Sequence, residues 1–153
     1  MGDSDKFSKL NEQFGFIRPG SVVLCAGGSP GFVSFASEAA SKIFCIDMVK
    51  KSYDDPKVRF TEGNILKDSI LKVTGGSRPD LFVNELGLRF VTSIQAAERV
   101  VQVMGDNGRV LMFVKSSPDP DDVLVNMMEG IGLRDIRLAM VGGEKFIYGV
   151  KQA

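Results

Sequence analysis

The run CAGGSPGF, residues 25 to 32, joins a short apolar segment to an amphipathic one. A glycine-rich turn that leaves a strand and opens a helix is how many α/β proteins seat a nucleotide cofactor. Gly27 and Gly28 present no Cβ to an approaching ligand, and Pro30 suits a first helical position. Asp47 stands just past the next apolar run, where a carboxylate can accept hydrogen bonds from both hydroxyls of a ribose. The chain has no histidine, so proton transfer must rest on Lys, Asp, Glu, Tyr or Cys. Cys25 and Cys45 are the only cysteines. Each lies in an apolar run and reads as a small buried residue, so neither a disulfide nor a metal site is expected.

The elements that would position these residues follow from periodicity. Asp3 or Ser4 can cap a helix whose apolar positions Phe7, Leu10 and Phe14 fall at helical spacing, with Gly15 at its end. Short apolar runs at Val22 to Leu24, Ile43 to Ile46, Val58 to Phe60, Leu81 to Val83 and Val110 to Val114 read as strands covered on both faces. Helices are predicted from Pro30 to Lys42, Ile65 to Val73, Phe90 to Met104 and Asp119 to Gly130. The tail differs, because the strand-like runs Ile136 to Met140 and Lys145 to Val150 are separated only by a hairpin-length turn. The expectation is an α/β fold with a mostly parallel sheet, a terminal antiparallel hairpin strand and helices on both faces.

Composition bounds that picture. With 153 residues and 44% apolar content, the chain suits a single domain over 1–153 with one substantial core. Its 19 basic and 19 acidic residues cancel, so bulk charge neither favours nor excludes a nucleic acid. The N-terminal run MGDSDKFSKL has no apolar leader, and no later run is long enough to cross a bilayer. A cytoplasmic protein without a membrane partner is expected.

The order of elements is joined by a set of loose motifs in fixed succession. They are SKLNE at 8 to 12, RPGSVVLCAGGSPGFVS at 18 to 34, FCIDM at 44 to 48, RFTEGNI at 59 to 65, VNEL at 83 to 86, GRVLMFVK at 108 to 115 and EKFIYGVK at 144 to 151. Together they resemble the FtsJ/RrmJ family of RNA 2′-O-ribose methyltransferases. The resemblance implies a Rossmann-like class I methyltransferase fold with a seven-stranded sheet, and S-adenosyl-L-methionine as cofactor. Cys25, Gly27, Gly28, Ser29, Pro30 and Gly31 would surround its methionine part, whose carboxylate suits the amides that open a helix. Asp47 would hold the ribose and Asn64 an adenine edge.

The family's catalytic Lys-Asp-Lys-Glu set maps onto Lys9, Glu85, Lys115 and Glu144. Lys115 lies two residues from the expected place, a shift that keeps the same sheet face. Lys145 is an alternative to Glu144, and that single residue of register changes the face. The implied substrate is RNA of ribosomal type, met by Lys6, Lys9, Arg18, Arg89, Lys115 and Lys145, with Phe32 or Phe90 as a stacking surface. A partner protein could supply more of the RNA-binding surface. Cys25 replaces the family's acid, and Phe32 and Val33 replace its glycine and tryptophan. The alternative reading is therefore a catalytically weak or inactive relative that serves as a binding or assembly module. A different methyltransferase or a nicotinamide-binding Rossmann protein is a third reading; the terminal hairpin and the incomplete GxGxxG pattern argue against the nicotinamide cofactor.

Overall fold

The computed structural model describes residues 3–115, 117 and 119–153, without the side chains of Asp3 and Ser4. The side chains of Asp3 and Ser4, the expected caps of the first helix, lie outside the description. The chain runs through α1 (Asp3–Phe14), β1 (Val22–Ala26), α2 (Pro30–Ser37), β2 (Lys42–Asp47) and β3 (Val58–Glu62). It continues through α3 (Ile70–Val73), β4 (Leu81–Asn84), α4 (Phe90–Val101), β5 (Arg109–Val114), α5 (Asp121–Gly130), β6 (Leu133–Val141) and β7 (Glu144–Lys151).

All seven strands form one sheet in the order β3-β2-β1-β4-β5-β7-β6. The first five are parallel, and β7 inserts antiparallel between β5 and β6. Because β1 pairs with both β2 and β4, the chain leaves it in opposite directions on its two sides. That reversal opens a crevice at the carboxyl ends of the strands, which is where ligands bind in open α/β sheets.

Strand alternation divides the core into two layers. Val23 and Cys25 of β1 face the layer that holds Phe7, Leu10 and Phe14 of α1 with Phe32, Val33 and Ala36 of α2. Leu24 and Ala26 face the other layer, with Ile70 of α3, Ile94 and Val100 of α4, and Leu124 and Met128 of α5. Helices therefore cover both faces, as the sequence predicts.

Four helices are shorter than predicted: α4 ends at Val101 rather than Met104, α5 opens at Asp121 rather than Asp119, and two others shrink further for local reasons. α2 ends at Ser37 because the chain must turn so that Lys42 can pair with Val22, with the Ser41 N–H donating to Ser21 O. α3 shrinks to Ile70–Val73 because Asn64 folds the preceding segment into a side-chain-stabilised turn and Ser69 caps the helix at Lys72 N. Among the described residues, no helix is long and apolar enough to cross a membrane.

α1 is fixed at its carbonyl end by two arginines. Arg137 donates to Gln13 O at 3.2 Å and to Phe14 O, and lies over the Phe14 and Tyr148 rings. Buried Arg109 donates to Gly15 O at 3.4 Å. Cations suit the last carbonyls of a helix, and Gly15, at φ +62°, takes the left-handed turn that ends it. These contacts dock α1 against β7 and so decide which of its lysines reach the sheet.

Candidate functional site

At the crevice, β1 delivers its chain into the glycine turn. Gly27 and Gly28 adopt φ of +93° and +42°. A Cβ on Gly28 would meet Tyr53 Oη at 2.8 Å, Cys45 Sγ at 3.0 Å and Cys25 Sγ at 3.1 Å, so only glycine fits there. Ser29 caps α2 by accepting the Phe32 N–H at 3.2 Å, and Pro30 opens the helix as expected. Cys25 and Cys45 are buried free thiols on paired positions of β1 and β2, sharing a hydrogen bond at 2.8 Å. That bond, then burial, pushes the Cys25 thiol well above its ordinary value.

Asp47 ends β2, beside the turn. Its Oδ1 accepts the Val49 N–H at 3.0 Å, and its Oδ2 pairs with Lys51 Nζ at 2.9 Å. Burial pushes this carboxyl up, but the Lys51 and backbone hydrogen bonds outweigh it and hold it below its ordinary value of 3.8. Lys51 also donates to Gly27 O, and Tyr53 Oη donates to Gly28 O at 2.5 Å. Burial first, then the two cysteines, pushes the Tyr53 hydroxyl up. Asn64 Oδ1 accepts the Leu66 N–H at 2.9 Å, which leaves its Nδ2 donor and one lone pair of Oδ1 for a base contact.

Glu85, which follows β4, accepts the Ser29 N–H at 2.9 Å and so lies against the opening of α2. Beside it, Asn84 is buried, with Nδ2 lacking a hydrogen-bond partner among the described residues. The donor set has the chemistry for a nucleoside with a zwitterionic tail. Asp47 suits ribose hydroxyls, the turn carbonyls suit an ammonium, and the α2 amides suit a carboxylate. Each already meets a side chain of the protein itself.

A second group of charges gathers where α1 crosses the hairpin. Lys6 Nζ pairs with Glu144 Oε1 at 3.1 Å and sits over the Phe7 and Phe146 rings. The Lys6 side chain is only 12% exposed. Lys9, one turn on, is exposed. The register left open by sequence is visible here. Glu144 shares its face with Phe146 and Tyr148, toward α1, while Lys145 faces the other way and pairs with Asp121 at 2.5 Å.

Lys115 follows β5 and lies across Gly87, where a Cβ would be 3.7 Å from its Nζ. Lys115, Glu144 and Lys145 line one cavity of about 300 Å³ with Phe113 and Met140. Of the four charged residues expected of the site, three therefore fall in two neighbourhoods, Glu85 at the glycine turn and Lys115 and Glu144 at the hairpin, while Lys9 lies outside both. Phe32 and Phe90 are 0% and 6% exposed, so neither offers a stacking surface. Among the described residues, no group of three or more His, Cys, Asp or Glu could hold a metal ion.

Lys51 and Tyr53 are site residues that sequence reasoning passed over, and Lys6 is one it gave only as an RNA contact. Lys6 left a signal. At about 100° per residue, Lys6 stands roughly 70° from the centre of the Phe7, Leu10, Phe14 stripe and Lys9 roughly 130°. Lys51 and Tyr53 left none, because they act from an irregular loop.

A parallel sheet ended by an inserted antiparallel strand, with a glycine turn after β1 and an acid ending β2, is the class I methyltransferase fold. The chain belongs to the FtsJ-like methyltransferase family, whose model matches residues 4–123. No curated protein matches it in sequence. Among solved structures it is similar to a protein assigned as a ribosomal RNA methyltransferase from Plasmodium falciparum, at 15% identity and a TM-score of 0.74, covering 99% of this chain and 96% of that one. It is similar to a protein assigned as a hemolysin from Lactococcus lactis, at 14% identity and a TM-score of 0.78, covering 97% and 86%. A third is the 1,6-didemethyltoxoflavin-N1-methyltransferase of Burkholderia thailandensis with bound S-adenosylhomocysteine, at 17% identity and a TM-score of 0.69, covering 99% and 77%.

Proposed function

We propose that the protein is an S-adenosylmethionine-dependent methyltransferase acting on a ribose 2′-hydroxyl of RNA. The observation that carries this reading is the Lys6–Glu144 pair, a part-buried lysine held by a carboxylate at 3.1 Å beside the cavity lined by Lys115. Asp47, the α2 amides and the turn carbonyls are the groups that would hold the cofactor, with Asn64 toward the base. When bound, the cofactor supplies an electrophilic methyl group on a sulfonium. A ribose hydroxyl is a poor nucleophile, so the protein must align it and take its proton as the oxygen attacks.

In this scheme Lys6 takes the place first expected of Lys9. In its neutral form the Lys6 amine accepts the hydroxyl proton, Glu144 orients that amine, and Lys115 meets the RNA phosphate beside it. Incubation of the protein with RNA and radiolabelled cofactor is expected to label ribose. Lys6→Ala is expected to lower the rate by about 100-fold or more, the usual worth of a positioned base. Lys9→Ala is expected to change it by a few-fold at most. Full activity in Lys6→Ala would overturn the assignment.

The engaged state of the glycine turn favours a second reading, a family member that binds rather than methylates. That reading predicts no binding of S-adenosylmethionine or S-adenosylhomocysteine in titration calorimetry, together with retained affinity for RNA.

A further inference from the structure

The loop after β2 crosses the glycine turn instead of leaving it open. Lys51 Nζ donates to Gly27 O and pairs with Asp47 Oδ2 at 2.9 Å. On the other side of the turn, Glu85 Oε1 accepts the Ser29 N–H at 2.9 Å, at the cap of α2. The amino-acid end of the proposed cofactor carries one ammonium and one carboxylate. An ammonium finds acceptors here in the turn carbonyls, and a carboxylate finds donors in the amides that open the helix. The protein has set a lysine ammonium and a glutamate carboxylate on those same groups.

We propose that Lys51 and Glu85 stand in for the amino and carboxylate groups of the cofactor's amino-acid end, so that a cofactor enters by displacing Lys51. The inference rests on the methyltransferase reading above. Lys51 is the part that yields. Its side chain is 34% exposed, on a loop with Met48 and Val49 at 69% and 67% exposure. Glu85 is less free to move, because its N–H donates to Ala26 O directly after a buried strand. Moving Lys51 also releases Asp47, whose carboxylate then becomes available to a ribose. A thioether without an amino-acid end, 5′-methylthioadenosine, competes with Lys51 at Asp47 alone. Lys51 thus sets which adenosine thioethers the crevice accepts, and is a specificity-determining residue.

Calorimetric titration of wild-type protein and Lys51→Ala with S-adenosylhomocysteine and with 5′-methylthioadenosine tests this. Lys51→Ala is expected to bind S-adenosylhomocysteine about tenfold more tightly, with a smaller gain for 5′-methylthioadenosine. Raising the ionic strength is expected to strengthen S-adenosylhomocysteine binding by the wild type, because salt screens the part-exposed Lys51–Asp47 pair. In Lys51→Ala that salt dependence is expected to vanish. Equal gains for the two ligands would overturn the stand-in role. If both proteins bind S-adenosylhomocysteine and the variant does so no more tightly, displacement is overturned and the methyltransferase reading stands. Binding by neither protein would overturn both.

Discussion

The glycine turn and the hairpin pocket hold their charges in opposite ways. At the turn, Lys51, Tyr53 and Glu85 each reach a backbone group of residues 27–29, so side chains and main chain lock one another in a narrow space. At the hairpin, Lys6 and Glu144 meet each other, and Lys115 and Lys145 share their cavity with open space between. A backbone partner fixes position but consumes the group. A side-chain partner orients an amine and leaves it able to meet a substrate. The difference teaches that the glycine turn is the more constrained of the two regions, whereas the hairpin charges depend mainly on how α1 is seated.

Phe7→Ala tests that dependence most severely. Phe7 is fully buried against Phe32 and Phe146, and its loss is expected to cost about 3–5 kcal/mol. Denaturant unfolding would read the loss, and methyl transfer would fall further than folding alone accounts for as Lys6 leaves Glu144. An equal loss of activity and folded fraction would break the link between α1 seating and the pocket.

Gly28→Ala attacks the other region. The new Cβ would press on Tyr53 and both thiols at a positive φ, which is expected to cost about 2–4 kcal/mol. Unchanged stability would mean that the turn is less tightly locked than its contacts require.

The turn is also expected to show itself in alkaline pH. Cys25 and Tyr53 are both pushed above their ordinary values of 9.0 and 10.0, so in this range the folded state holds protons that the unfolded chain releases. Stability from these groups is full below about pH 9 and falls as pH rises beyond it. Tyr53→Phe is expected to flatten the fall above pH 10, measured by urea unfolding at stepped pH. The smallest effect is reserved for Lys145→Ala. Its pair with Asp121 is exposed, so it is expected to cost at most about 1 kcal/mol and to leave Lys6–Glu144 intact.

Much of this fold is readable from residues alone, because buried parallel strands such as Val22–Ala26 are nearly continuous apolar runs and the closing hairpin leaves too few residues for a crossover. Asp47 and the glycine turn are legible for the same reason, as punctuation at strand ends. The hairpin pocket is half legible. Helical spacing already sets Lys6 nearer the core than Lys9, but the seating of α1 by Arg137 and Arg109 joins residues with no shared pattern. The face that Glu144 and Lys145 each take turns on one residue of register, which the pairing of Val141 with Glu144 shows. Lys51 is illegible, since its partners are set by an irregular loop rather than by a period.

The insertion of β7 has a consequence for when the molecule acquires its chemistry. β7 is the last strand in sequence yet sits inside the sheet, and Lys6 lies 138 residues from the glutamate it meets. Until β7 pairs, β5 presents a bare edge and α1 lacks the aromatic floor of Phe146 and Tyr148. The hairpin pocket therefore does not exist until the last strand is in place. The lysine–glutamate pair needs that last strand, which makes the pair a reporter of completed folding.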